Sequence, residues 1–375
     1  MTSVVVTTRD VVGERMAGPG IRAYFLAREL ARHFPTTLIA QLVEFEPSGE
    51  ACEVLDFRSI PAHNALQRAR VVIGQPDRQI LALSPRRHKL VFDLFDPNVL
   101  ELRELYGIRP KFRQSVHLSR EWGRLRMALM RGDLLMAGHR RQIDFYSGVH
   151  SSSGGDTSGS WLNRWIEVPF GIEESRPHPY PPDDPPTILW GGGVWEWLDP
   201  ETAVDAVLEA NRRGIRCRLL FLGSSRPNSE VSGAGSTERI ALRAKENPHL
   251  IQLNHEWVRY RERDRWLRSC KAAIMLHRRT LEAEFSLRTR LFDALWCRIP
   301  VIASDGGFAA GLVREEEVGL VVEPSNLESV TQAIVDLVTD DAFHKRSVSN
   351  LERIRSRFFW SEVARPLVQA ISAWQ

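Results

Sequence analysis

The chain has 375 residues, 43% hydrophobic and 26% charged, enough for two core-bearing domains and too apolar for a chiefly disordered polymer. Its net charge of +3 gives no case for a nucleic-acid partner. Cys52, Cys217, Cys270 and Cys297 lie apart, without metal-ligand spacing, and neither a signal-peptide start nor eighteen consecutive apolar residues occur; the expectation is a cytoplasmic protein with reduced thiols and no spanning segment.

Ser3 to Thr8 is β-branched and reads as a first buried strand, followed by a loop ending in Gly18-Pro19-Gly20 and a helical pattern from Ile21 to Phe34. Glycines at the carboxyl end of such a strand let backbone approach a ligand, and the lack of Gly-x-Gly-x-x-Gly argues against a nicotinamide cofactor. Strand-like runs at 37–40, 54–57, 71–73 and 90–92 predict a mostly parallel α/β domain. Asp93 and Asp96 close the last of these, ahead of a helix from about Asn98, at a strand end where the cleft of such a fold would open; Asp96 before Pro97 equally suits a helix N-cap. Between Arg109 and Arg141, nine Lys and Arg stand against only Glu121 and Asp133, interleaved with Trp122, Leu125, Met127, Leu129 and Met130. That pattern predicts attachment to an anionic membrane surface, with core packing as the alternative. A strand at 134–137, a helix from Gly138 closed by Gly148, a Ser/Gly-rich loop at 151–160 and a strand within 165–171 complete this half.

Residues 173–186 hold six prolines and read as a linker. Beyond it, a strand at 187–190 leads into Gly191-Gly192-Gly193, then Trp195, Trp197 and the helix start Asp199-Pro200, with the helix running from about Glu201 to Arg212. Further strands are expected at 217–223, 250–253, 272–277 and 319–322, and further helices at 240–246, 261–270 and 326–338. Trp257 sits in the loop after the third strand, either packed on a ligand or in the core. The densest chemistry lies between Leu281 and Gly307. Ser286 or Thr289 can cap a helix with apolar positions Leu291, Phe292, Leu295 and Trp296, and the strand Val301–Ala303 follows Pro300. A helix N-terminus flanked by Arg288 and Arg290 is an anion site, and Asp293, one turn on, can accept hydroxyl hydrogen bonds; a diphosphate joined to a ribose fits.

This segment resembles the donor-binding signature of the retaining glycosyltransferases of family 4. The family's first acid corresponds to Glu282 or Glu284, its Ser/Thr-Lys/Arg step to Thr289-Arg290, its second acid to Asp293, and its Gly-x-Pro to Ile299-Pro300. Its usual spacing of eight would place the first acid on Phe285, and Gly193 and the Trp197-Leu198 region stand where many members carry an Arg and a Lys that grip the diphosphate. The resemblance implies a GT-B fold, two Rossmann-like domains facing each other across a cleft: 1–172 for the acceptor, linker 173–186, 187–355 for the nucleotide-sugar, and a crossover helix at 356–375. It implies Asp93, Asp96, Glu282, Glu284 and Arg290 as catalytic, and Gly18, Gly20, Gly192, Gly193, Trp195, Trp257 and His277 as donor-binding together with Arg288, Thr289, Arg290, Leu291 and Asp293. The activity implied is transfer of a sugar from a nucleotide-diphosphate-sugar to an acceptor hydroxyl with retention, in polysaccharide, glycolipid or other glycoconjugate synthesis. No cofactor and no metal ligand are expected, and the acceptor is a glycan, a lipid-linked molecule or a small molecule. A nucleotide-sugar epimerase of the same fold and a catalytically silent donor-binding subunit remain alternatives.

Overall fold

The computed structural model describes residues 2–44, 52–107, 110–156, 158–177, 181–223, 234–254 and 256–374. Arg109, Thr157, Pro179 and His255, which belong to segments discussed above, lie outside them. The chain divides into two compact units, Met1–Gly171 with Phe285–Leu287 and Trp360–Gln375, and Ile172–Glu284 with Arg288–Phe359. The proline-rich run 173–186 is counted in the second unit, where the Asp183 N–H donates to the Ser269 carbonyl at 3.0 Å.

The first unit is built on seven strands: β1 (Val4–Val12), β2 (Thr36–Val43), β3 (Glu53–Asp56), β4 (Val71–Gly74), β5 (Lys89–Asp93), β6 (Leu134–Ala137) and β7 (Trp165–Glu167). They pair in the order β3-β2-β1-β4-β5-β6-β7, every pair parallel. Strands in such a sheet are covered on both faces, which is why β4 and β6 are apolar without alternation and buried at every position. The chain builds outward from β1 to β3, returns to β4 beside β1, and builds the other way; the crevice at the carboxyl ends of β1 and β4 is the reversal point where open α/β sheets bind ligands. The helix Gly18–Ala31 packs on β1, and a Cβ on Gly20 would collide with the Val11 carbonyl oxygen. Trp360 stacks on Phe25 with ring centroids 5.3 Å apart, joining the C-terminal residues to this unit.

The basic stretch is mostly one helix, Phe112–Arg131. Leu125 and Leu129, expected on a membrane face, are 5% and 0% exposed and sit in the core, because they share a helical face with Leu118 and Ala128. Arg131 donates to the Leu81 and Leu83 carbonyls and Arg124 pairs with Glu121, so part of the positive charge is internal bonding. What remains outward is Phe112, Met127 and Met130 with Arg113, Arg120 and Arg126. No helix among the described residues is long and apolar enough to cross a membrane. The next helix runs from Arg140 to Ser152, straight through Gly148, where a Cβ would meet open space and no turn requires the glycine.

The second unit carries six parallel strands, β8 (Thr187–Gly191), β9 (Arg218–Leu222), β10 (Ile251–Asn254), β11 (Ala272–Met275), β12 (Val301–Ser304) and β13 (Gly319–Val322), in the order β10-β9-β8-β11-β12-β13. Its reversal point lies between β8 and β11. The helix Pro200–Arg212 follows β8 with Asp199 as N-cap, as the Asp-Pro dipeptide predicts. The helix Thr289–Cys297 precedes β12. Neither Ser286 nor Thr289 caps it: the N-cap is Arg288, its backbone extended, and no side chain bonds the helix start.

Candidate functional site

In the second unit the loops after β8 and β11 meet the start of the helix Thr289–Cys297. The Gly193 carbonyl accepts from Trp190 Nε1 at 3.3 Å and from Arg290 Nη2 at 3.1 Å, and the Arg290 guanidinium lies 5.3 Å from the Trp190 ring centroid. Arg290 is half-buried, and burial, reinforced by the Arg288 charge, pushes its pKa down to about 9. It stays protonated at neutral pH, so the cost of its burial is relieved by an arriving anion rather than by loss of a proton. The amides of Thr289 and Arg290, first in the helix, have no acceptor among the described residues, whereas the Leu291 N–H is taken by the Arg288 carbonyl at 3.0 Å. Leu291 itself is 1% exposed, a core residue rather than a donor contact.

The two arginines of the segment have different roles. Arg288 forms a bidentate pair with Glu282, at 2.6 and 2.7 Å, and Glu282 is fully buried. This pair neutralises itself, so Arg288 is no free clamp for a phosphate and Glu282 no exposed acid. Glu284 is half-buried and lies beside Gly306, where a Cβ would stand 2.8 Å from Glu284 Oε1 and 3.6 Å from His277 Cε1. Gly307 opens the next helix at φ +69°, and a Cβ on it would collide with the Ala283 carbonyl, so only glycine lets the chain pass there. His277 is buried, its N–H donating to Ser304 Oγ at 3.1 Å, and burial lowers its pKa, which keeps it neutral at pH 7.

Asp293, which the sequence suggests as an acceptor of ribose hydroxyls, has a protein partner as well. Its Oδ1 accepts from Arg263 Nε at 3.1 Å, and Arg263 is itself sandwiched at 3.5 Å from the Tyr260 ring centroid and 4.5 Å from that of Trp296. Burial raises the Asp293 pKa against the lowering pull of Arg263, and its side chain keeps 35% exposure. One oxygen is therefore anchored, and the other accepts no hydrogen bond among the described residues. Trp195 is half-buried and stacks on Trp197, ring centroids 5.6 Å apart; Trp197 is a core residue. Trp257 is half-buried against Gly223 at the end of β9.

In the first unit the reversal point opens as a pocket of about 530 Å³, its mouth included, lined by Arg9, Asp77, Asp93, Asp96, Glu121, Arg124 and Tyr146 among others. Asp93 spends both carboxylate oxygens on the buried Arg22, at 2.7 and 3.0 Å, and Arg22 also donates to the Pro169 carbonyl and lies over Phe95. A carboxylate so paired is committed to holding the fold. Asp96 is half-buried at the pocket, and it is not the helix N-cap: Pro97 holds that position, and no side chain caps the helix Asn98–Tyr106. Gly18 and Gly20 begin the helix on β1, where Gly20 serves close packing. Among the described residues no group of three or more His, Cys, Asp or Glu could hold a metal ion.

Sequence reasoning missed Arg22 and Arg263. Both are recruited from distant helices, 71 and 30 residues from their carboxylate partners, and no local spacing announces such pairs. A signal for Arg22 was present, since an arginine amid the apolar run 21–27 needs a buried counter-charge.

Residues 185–340 match the family model described as glycosyl transferases group 1. No curated protein sequence matches the chain. Among solved structures it resembles the sucrose-phosphate synthase of Thermosynechococcus elongatus, with TM-score 0.70 and 16% identity over 100% of this chain and 99% of that one. It resembles Anabaena Alr3699/HepE in complex with UDP-glucose, with TM-score 0.69 and 12% identity over 100% of both chains. WaaG, a glycosyltransferase involved in lipopolysaccharide biosynthesis, aligns with TM-score 0.66 and 13% identity over 98% of this chain and 99% of that one. The GT-B fold class inferred from the sequence is borne out, and the resemblance to glycosyltransferases is borne out over residues 185–340.

Proposed function

We propose that this chain is a retaining glycosyltransferase that binds a nucleoside-diphosphate sugar on its second unit and an acceptor hydroxyl on its first. The observation that carries the reading is Arg290: a half-buried guanidinium, with one neutral acceptor, beside two open helix amides at the strand-order reversal of a group 1 glycosyl transferase domain. A diphosphate supplies the missing counter-charge. As the sugar–phosphate bond breaks, negative charge grows on the departing diphosphate, and donors already aimed at it lower the barrier with little reorganisation. In this reading Arg290 and the two amides do that work, without calling on a divalent ion. Asp293 takes the ribose hydroxyls through its second oxygen, Trp257 lies against the base, and Glu284, rather than Glu282, meets the sugar hydroxyls. Asp96 faces the acceptor in the pocket of the first unit. That Alr3699/HepE was solved with UDP-glucose supports a nucleotide-sugar as the donor class.

Calorimetric titration of the full chain with UDP, GDP and dTDP tests the donor site. One of them is expected to bind saturably at one site, and the absence of binding by all three contradicts the reading. The outward face of the helix Phe112–Arg131, with Phe112, Met127 and Met130 among Arg113, Arg120 and Arg126, fits an anionic lipid surface on which a lipid-linked acceptor would be met. Co-sedimentation no greater with anionic than with neutral vesicles at low salt rejects that attachment.

A further inference from the structure

A second cleft opens in the first unit beside the pocket that holds Asp96. It measures about 660 Å³ with its mouth, and its walls come from β1, the carboxyl ends of β2 and β3, and the loop after β4. The two cavities share Arg9 and Asp77, so they are neighbours across one ion pair, with Arg9 Nε 3.8 Å from Asp77 Oδ2. Their characters differ. The pocket around Asp96 also holds Asp93 and Glu121, whereas the second cleft brings Arg9, Arg58 and Arg78 against the single carboxylate of Asp77. Asp77 is already engaged: its Oδ1 accepts from the Gln79 and Ile80 amides at 2.8 and 2.9 Å, capping the short helix that follows. Arg58 and Arg78 are exposed; the Arg58 amide donates to Asp56 Oδ1 at 2.8 Å, but neither guanidinium has a carboxylate partner among the described residues. Phe57, 39% exposed, offers an apolar ring on the same wall, a surface suited to the face of a sugar.

We propose that this cleft seats an anionic group, a phosphate or a carboxylate, carried by the acceptor, on Arg9, Arg58 and Arg78. The inference rests on the glycosyltransferase reading and names the acceptor's chemical class: a hydroxyl presented in the Asp96 pocket, with a negative charge a short distance away in the arginine-lined cleft. Guanidinium groups match phosphate and carboxylate oxygens in pairs, and Arg58 and Arg78, beside the Arg9–Asp77 pair, supply positive charge at the carboxyl ends of parallel strands that such an anion balances. The anion can belong to a soluble sugar phosphate or to a lipid headgroup, and the chemistry recognised is the same.

The test uses the full chain and the double variant Arg58→Gln/Arg78→Gln, whose altered side chains are exposed and leave the core intact. Glucose 6-phosphate and glucose are titrated calorimetrically, and vesicles of phosphatidylcholine with and without phosphatidic acid are assayed by co-sedimentation. Saturable binding of glucose 6-phosphate but not glucose, weakened about tenfold or more in the variant, establishes a soluble anionic acceptor. Binding only to phosphatidic acid vesicles, lost in the variant, establishes a lipid-borne one. If the wild type binds neither probe, or the variant binds as the wild type does, the inference is overturned. A parallel titration with nucleoside diphosphates reports on the second unit: binding there without any anion response removes this inference alone, whereas no nucleotide binding removes the functional reading beneath it.

Discussion

Replacing Arg290 with Ala isolates the role assigned to one guanidinium. Its only described hydrogen bond goes to the Gly193 carbonyl, which keeps a second donor in Trp190 Nε1 at 3.3 Å, so the loop after β8 retains an anchor. Loss of that neutral contact costs stability about 1 kcal/mol. The catalytic cost is larger, because the cation faces charge that increases toward the transition state; removing one preorganised donor of this kind costs about 3 kcal/mol, on the order of a hundredfold in kcat. KM for the donor should change less than kcat, since the ground-state diphosphate is less demanding than the departing one. Arg290→Lys keeps a charge but loses the planar guanidinium over Trp190, 5.3 Å from its centroid, and should recover only part of the rate. Steady-state release of nucleoside diphosphate measures all of this. Turnover within about twofold of wild type in Arg290→Ala would refute the argument and place the diphosphate clamp elsewhere.

Glu282→Ala strands Arg288 in the interior and should lower unfolding stability by about 3 to 5 kcal/mol in denaturant titration, whereas Glu284→Gln should leave stability nearly unchanged and reduce turnover. Gly307→Ala forces a Cβ into the Ala283 carbonyl at a left-handed φ, with an expected stability loss of about 1 to 3 kcal/mol read in the same way. Burial holds the His139 pKa down to about 4, below the unfolded value of about 6.5; the unfolded chain therefore binds a proton first as pH falls, and stability present at neutral pH is lost between about 6.5 and 4. Between pH 7 and 5 this amounts to about 2 kcal/mol, and His139→Asn should flatten that slope by the same amount; an unchanged slope refutes the assignment.

The thirteen strands among the described residues were legible, most plainly those buried along their whole length, because such strands are short apolar runs; Val71–Gly74 and Ala272–Met275 admit few other readings. Helix starts were less so. Ser286 and Thr289 both look like caps, yet the backbone extends through Arg288 and leaves two amides bare, an outcome fixed by how the segment packs rather than by local preference. Within the candidate site, several residues singled out in the sequence have partners that the sequence does not announce. Glu282 and Arg288 neutralise each other because they are buried together, Asp93 is bound to Arg22, and Asp293 shares its charge with Arg263; each pairing depends on which side chains the fold brings together. Arg290 stood out in the sequence through the Thr289-Arg290 step, whereas its contact with the neutral Gly193 carbonyl is visible only in the fold. The arginine-lined cleft was invisible in sequence, since Arg9 comes from β1, Arg58 from the turn after β3 and Arg78 from a helix start after β4.

The central claim is transfer of a sugar with retention at the second unit's donor site. The most direct measurement is proton NMR of the first product formed from an α-linked nucleotide-sugar whose nucleotide the chain binds, in the presence of acceptor. The account predicts a new α-glycosidic linkage with stoichiometric release of nucleoside diphosphate. A β-linked product, or nucleotide release that yields only free or epimerised sugar whatever acceptor is supplied, would contradict it.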